Sequence, residues 1–170
     1  MESEEADIDS CVEMPDMALQ EFKALMKPVV ATISQAKIDS DLEAKLNTTF
    51  PPSSETFLNI ENACHEAIKA GWMCSQGGEG RRFGRVLEPS VETDDLSIDV
   101  VDLTDIVGPH HRHPTGEVCM VMPVTEGAKF DGYDAGWCVN PPGSAHRPTV
   151  TNGLALVLYL LPEGKIEFTE

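Results

Sequence analysis

Gly108-Pro109-His110-His111-Arg112-His113-Pro114-Thr115-Gly116-Glu117 is the stretch on which the fold turns. It gathers three of the chain's five histidines and a glutamate into ten residues. Side chains along a strand alternate faces, so residues two apart share one. His111 and His113 are two apart, and Glu117 keeps their parity if the strand resumes after a bend at Pro114–Gly116. His110 and Arg112 fall on the other face. Imidazole and carboxylate donors together suit a first-row divalent metal. Alone, the stretch reads either as ligands inside a barrel or as a surface histidine cluster. A second stretch, G-W-C-V-N-P-P-G-S-A-H-R-P-T-V-T-N over Gly136–Asn152, favours the first reading. Its Pro141-Pro142-Gly143 segment predicts a tight turn, with His146 three residues beyond. The expectation is one metal ion held by His111, His113, Glu117 and His146, with positions left for water or substrate.

Outward from these stretches, residues 72–170 read as short strands separated by Gly, Pro and Asp. The expected strands are Trp72–Cys74, Arg82–Leu87, Leu96–Leu103, Glu117–Met122, Gly136–Val139, His146–Val150, Leu154–Leu161 and Lys165–Phe168. About eight such strands fit an antiparallel jelly-roll barrel. The absence of alternating helices in this half argues against a parallel α/β fold. Residues 17–71 read as helices. Leu19, Phe22, Leu25, Met26 and Val29 recur at three- and four-residue steps, with a kink or break expected at Pro28. Asp39–Leu46 reads as a second helix, with Ser40 as N-cap and Glu43 closing a capping box. Ser54–Ala70 reads as a third, with Phe57, Ile60, Cys64 and Ile68 as its stripe and Gly71 as its cap. Residues 1–16 carry seven acids and no Lys or Arg, so a disordered acidic tail is expected there.

The net charge of -17 disfavours nucleic acid and anionic membranes as partners. The longest apolar run, Leu154–Leu161, is strand-sized, so no membrane span is expected. Five cysteines without CxxC spacing, and an acidic N-terminus without an apolar core, suggest reduced thiols and a cytoplasmic setting. All five arginines lie between Arg81 and Arg147, so an anionic chain can still hold a cationic pocket.

The two stretches resemble the paired motifs of the cupin superfamily. The first motif has a glycine, H-x-H and a glutamate, here Gly108, His111, His113 and Glu117. The second has a glycine, P-x-G-x-x-H and an asparagine, here Gly136, Pro141, Gly143, His146 and Asn152. Gly108 stands closer to the first histidine, Asn152 further out, and the late glycine of the first motif shifts to about Gly127. These departures touch loop lengths and leave the four ligand positions intact. H-R-H-P-T-G-E-V-C-M-V-M-P-V, the second stretch and the ending Y-L-L-P-E-G-K-I-E-F resemble the small cupin-like family of 4-hydroxylaminobenzoate lyase. That resemblance implies a mainly β cupin barrel with an N-terminal helical extension. It also implies a divalent metal (Fe, Mn, Zn or Ni), a small aromatic acid as substrate, and release of ammonia to leave a dihydroxy-aromatic acid. Cupin barrels often pair, so a homodimer is expected. Two other readings stay open: a cupin dioxygenase acting on a small aromatic or thiol, and a non-enzymatic binding cupin.

Glu117 is either a ligand or a general base. An aromatic carboxylate calls for a cation, and Arg81 and Arg85 share one strand face with Arg82 on the other. Solvent-facing arginines offsetting an acidic surface are the alternative. Trp72 is a candidate for lining a ring pocket, whereas Trp137 reads as core. Cys119 shares the parity of Glu117, and Cys119 and Cys138 read as packing thiols rather than nucleophiles.

Overall fold

Each short apolar run of the second half becomes a strand because neighbouring runs can pair. The computed structural model describes the backbone of residues 2–169 and the side chains of residues 17–169. The expected acidic tail over 1–16 therefore lies outside the residues with described side chains. The helices are α1 (Glu2–Ser34), α2 (Ser40–Thr49) and α3 (Glu55–Ala70). The strands are β1 (Gln76–Gly78), β2 (Arg81–Leu87), β3 (Leu96–Val107), β4 (His111–His113) and β5 (Glu117–Pro123). They continue with β6 (Lys129–Phe130), β7 (Gly136–Asn140), β8 (Ser144–His146), β9 (Thr149–Pro162) and β10 (Glu167–Phe168). One sheet runs β1-β2-β3-β9-β5-β7, with β6 also on β9, and a smaller one runs β10-β4-β8. The body is mainly β, in two antiparallel sheets with an N-terminal helical extension, as expected.

Alternation divides the large sheet's side chains between two cores. Cys119, Val121, Val157, Tyr159 and Leu161 point between the sheets. Val118, Met120, Leu156, Leu158 and Leu160 point outward, against Phe22, Met26, Leu46, Phe57 and Ile60 of the helices. The central strands are thus buried on both faces, which is why Leu154–Leu161 is apolar without interruption. Each such side chain contributes roughly 1.5–3 kcal/mol by leaving water.

The helices start and stop largely as their sequences require. Ser54 accepts a hydrogen bond from Phe57 N at 3.2 Å and caps α3. Gly71, at φ 86, ends it, and Trp72 N donates back to Ala67 O at 3.2 Å. Trp72 is therefore tied to the helix end, so Trp72–Cys74 is not the expected strand. The cap of α2 is Asp39 rather than Ser40, and it accepts from Asp41 N and Leu42 N, each at 3.1 Å. Glu43 does not close a capping box. Its Oε1 accepts from Val139 N at 2.9 Å. Asn47 works on the same strand: Oδ1 accepts from Trp137 N and Nδ2 donates to Trp137 O, both at 2.9 Å. Pro28 does not break α1. One missing N–H costs less than the burial of Met26, Val29, Val30 and Ile33 around it.

The expected strand His146–Val150 is in fact two. β8 ends at His146, and Thr149 opens β9, which absorbs Leu154–Leu161. Asn152 and Gly153, at φ 65 and φ 118, mark the bend within β9. No helix among the described residues is long and apolar enough to cross a membrane.

Candidate metal centre

The bend after His113 joins the two sheets. Gly116 sits there at φ 88, and a Cβ on it would meet Ile38 Cγ2 at 2.6 Å, so only glycine fits. Past the bend, β5 resumes at Glu117 with the parity that the sequence requires. The second stretch folds back onto the first. Gly143 N donates to His113 O at 2.7 Å, and β8 pairs with β4 so that His146 stands opposite His111. Gly108 closes the other end: its N–H donates to Pro148 O at 2.7 Å, with no room for a Cβ.

These contacts bring His111, His113, Glu117 and His146 together, with one donor atom from each within 4.8 Å of the others. His113 Nε2 lies 3.0 Å from His146 Nε2 and 3.0 Å from Glu117 Oε2. His146 Nε2 lies 3.5 Å from Glu117 Oε1. His111, His113 and Glu117 are buried. Burial, then the neighbouring His146, lowers His111 to a pKa of about 4. Burial, then the other two imidazoles, lowers His113 to about 3. Both rings are therefore neutral at pH 7, with a lone pair free to donate. His113 Nδ1 has no hydrogen-bond partner, and His111 has none among the side chains. Buried polar atoms without partners are costly, and converging imidazole and carboxylate donors suit a divalent ion. The residues fit the metal implied by the motifs.

Glu117 is held in place. Its Oε1 accepts from Asn140 Nδ2 at 2.8 Å and from Cys119 Sγ at 3.0 Å. Burial raises its pKa against those two donors and the nearby His146. Burial and the adjacent Cys138 hold the Cys119 thiol well above its ordinary pKa, so it packs and donates rather than attacks.

Asp131, which sequence reading passed over, orients His146. Its Oδ2 lies 2.6 Å from His146 Nδ1, and its Oδ1 accepts from Thr149 N at 2.8 Å. Burial pulls the His146 pKa down, but the Asp131 hydrogen bond and the Glu117 charge outweigh it. Nδ1 donates to Asp131, which turns Nε2 toward the other three side chains of the cluster. Asp131 precedes Gly132 in a turn, and nothing local marks it. In Asp131→Asn, the oxygen stays with Thr149 N and the amide N–H faces His146, which favours the wrong tautomer. Metal affinity, measured by titration with a competing chelator, should fall by about 10- to 100-fold.

A cavity of about 350 Å³ opens onto His111 and Glu117. Phe83, Val101, Leu103, Tyr159, Leu161 and Phe168 form much of its wall. Arg81 and Arg85 also line it, as strand parity requires, and Arg82 does not. Arg85 is already engaged: Nε donates to Asp99 Oδ1 at 2.9 Å and Nη2 to Gly164 O at 3.3 Å. Arg81 lies 5.1 Å from the Phe83 ring centre, with no ion pair among the described residues. Trp72 does not reach the cavity. It packs against the helical side of the sheet, because the end of α3 holds its backbone. Trp137 is core on that same side. His110 bonds Thr169, and Arg112 pairs with Glu167 at 3.4 Å, both away from the ligand set.

The profile of the 4-hydroxylaminobenzoate lyase (PnbB) family matches residues 24–168. A 4-hydroxylaminobenzoate lyase from Pseudomonas putida is 31% identical over 156 residues, spanning 82% of this chain and 89% of that protein. A protein of the same name from Nocardioides sp. (strain LMS-CY) is 31% identical over 150 residues, spanning 83% and 89%. Among solved structures, an RmlC-like cupin protein from Ralstonia eutropha JMP134 aligns with a TM-score of 0.41 at 16% identity, over 55% of this chain and 62% of that one. With its family's profile covering most of its length, the chain belongs to the 4-hydroxylaminobenzoate lyase family.

Proposed function

We propose that this protein is a metal-dependent lyase that converts 4-hydroxylaminobenzoate, or a close hydroxylamino-aromatic acid, to 3,4-dihydroxybenzoate and ammonia. The observation that carries the reading is the cavity, with its apolar wall, the histidine–glutamate cluster and an uncommitted arginine. The family name supplies the substrate class. The net change consumes one water and needs neither O2 nor a reductant. A bound divalent ion, held by His111, His113, Glu117 and His146, would supply Lewis acidity toward an oxygen.

The chain's own residues divide the remaining work. Phe83, Val101 and Leu161 take the ring out of water. Arg81 takes the carboxylate, because Arg85 already serves Asp99. Glu117 acts as a ligand rather than a mobile base, since Asn140 and Cys119 hold one of its oxygens. Arg81→Ala should raise KM for the acid by about 10- to 100-fold with metal content unchanged, the loss of one charge-assisted contact. Steady-state kinetics beside metal analysis checks this.

The reading is tested by anaerobic turnover of 4-hydroxylaminobenzoate by protein of known metal content, with ammonia and the diol as readouts. Ammonia release without O2 supports the lyase. Turnover only with O2 would move the protein to the dioxygenases.

A further inference from the structure

Three polar side chains lining the cavity, Arg85, Asp99 and Glu117, are engaged. Arg85 and Asp99 hold each other, and Cys119 and Asn140 hold Glu117. The Tyr159 hydroxyl is different. Tyr159 lies mid-sheet on β9, opposite Asp99 of β3 and Cys119 of β5, and lines the cavity. It is only 8% exposed, whereas Gln76 and Arg81 sit at the exposed rim. Its hydroxyl makes no hydrogen bond among the described residues and is not among the sealed polar atoms, so it opens into the cavity.

The ring is fixed. It meets Phe130 edge-on, with centres 6.0 Å apart, and Phe130 meets His146 edge-on at 6.4 Å. Tyr159 is thus locked by packing beside the ligand cluster with an unspent donor in the cavity. Locked rings carrying a free donor are what selects one polar substituent on an apolar ligand.

We infer that the Tyr159 hydroxyl is the hydrogen-bond donor for the oxygen of the substrate's ring substituent, holding it beside His111 and Glu117 while Arg81 holds the carboxylate at the other end. The inference deepens the lyase reading and rests on it for the identity of the substituent. A two-point grip of this kind selects ring acids that carry an oxygen-bearing group away from the carboxylate.

The test is Tyr159→Phe, which removes one oxygen from a packed ring and leaves its contacts in place. Two inert probes, 4-hydroxybenzoate and 4-methylbenzoate, are titrated calorimetrically into metal-loaded protein. The wild type should prefer the hydroxy acid by about 10-fold or more, the value of one hydrogen bond in a dry site. The variant should lose that preference, bind the methyl acid as before, and keep its metal and its melting temperature. Its kcat on 4-hydroxylaminobenzoate should fall by about 10- to 100-fold. A purely structural tyrosine would not move the ratio of the two affinities. An unchanged ratio in the variant overturns the inference. So does a wild type that binds neither acid. If the wild type shows the preference but releases no ammonia, the lyase reading falls and the donor role of Tyr159 stands.

Discussion

His146→Ala should leave a folded protein that holds no metal and turns nothing over. The side chain contributes the Nε2 that lies 3.0 Å from His113 Nε2 and 3.5 Å from Glu117 Oε1, so its loss opens one corner of the cluster. Losing only the carboxylate behind a ligand costs about 10- to 100-fold in affinity, and losing the ligand itself costs more. The ion should then dialyse away. Folding should survive, because β8 is a three-residue strand and the imidazole is 17% exposed, so truncation leaves no sealed void. Metal per chain by mass spectrometry, circular dichroism and ammonia release are measured on one preparation. A variant that keeps one ion per chain removes His146 from the ligand set. A metal-free variant with full turnover removes the metal from the reaction.

Trp137→Ala should be the most destabilising single change, at about 3–5 kcal/mol. The indole is 2% exposed, and Nε1 donates to Phe50 O at 2.9 Å. The Phe50 and Phe57 rings pack on it, with centres 6.3 and 6.1 Å away. Truncation empties that volume and leaves a carbonyl without a partner. Trp137→Phe should cost less, since it keeps an apolar ring and loses chiefly the hydrogen bond. Urea unfolding followed by far-ultraviolet circular dichroism gives both values. A loss below about 1 kcal/mol for the alanine variant would mean that the helices are held to the sheet elsewhere.

Strand alternation is what makes the grouping of His111, His113 and Glu117 legible in the sequence. His111, His113 and Glu117 obey a two-residue period that survives the bend, because Gly116 turns the chain without shifting its parity. The same rule set aside His110 and Arg112. It failed where the local sequence is silent. Asp131 orients His146 only because β6 and β9 come together, and an aspartate before glycine reads as any turn. Asp39 and Ser40 are both good caps, and which one serves depends on where the helix lands. Propensity alone puts a break at Pro28, and the burial of its neighbours outweighs it. Arg81 and Arg85 were indistinguishable by parity, because Asp99, which separates them, lies on another strand.

The hydrogen bonds from Asn47 and Glu43 to the outer side of β7 have a bearing on how the chain divides. An edge strand offers unpaired N–H and C=O groups to any passing strand. Here two side chains of α2 occupy that position at Trp137 and Val139, in place of a further strand. The helices therefore act as a guard on the sheet as well as a cover for it. A barrel cut free at residue 72 would bare this edge and the apolar outer face of Val118, Met120 and Leu158, and would be expected to self-associate. The helical segment and the barrel are then expected to melt as one cooperative body, with the helices before residue 72 no removable appendage.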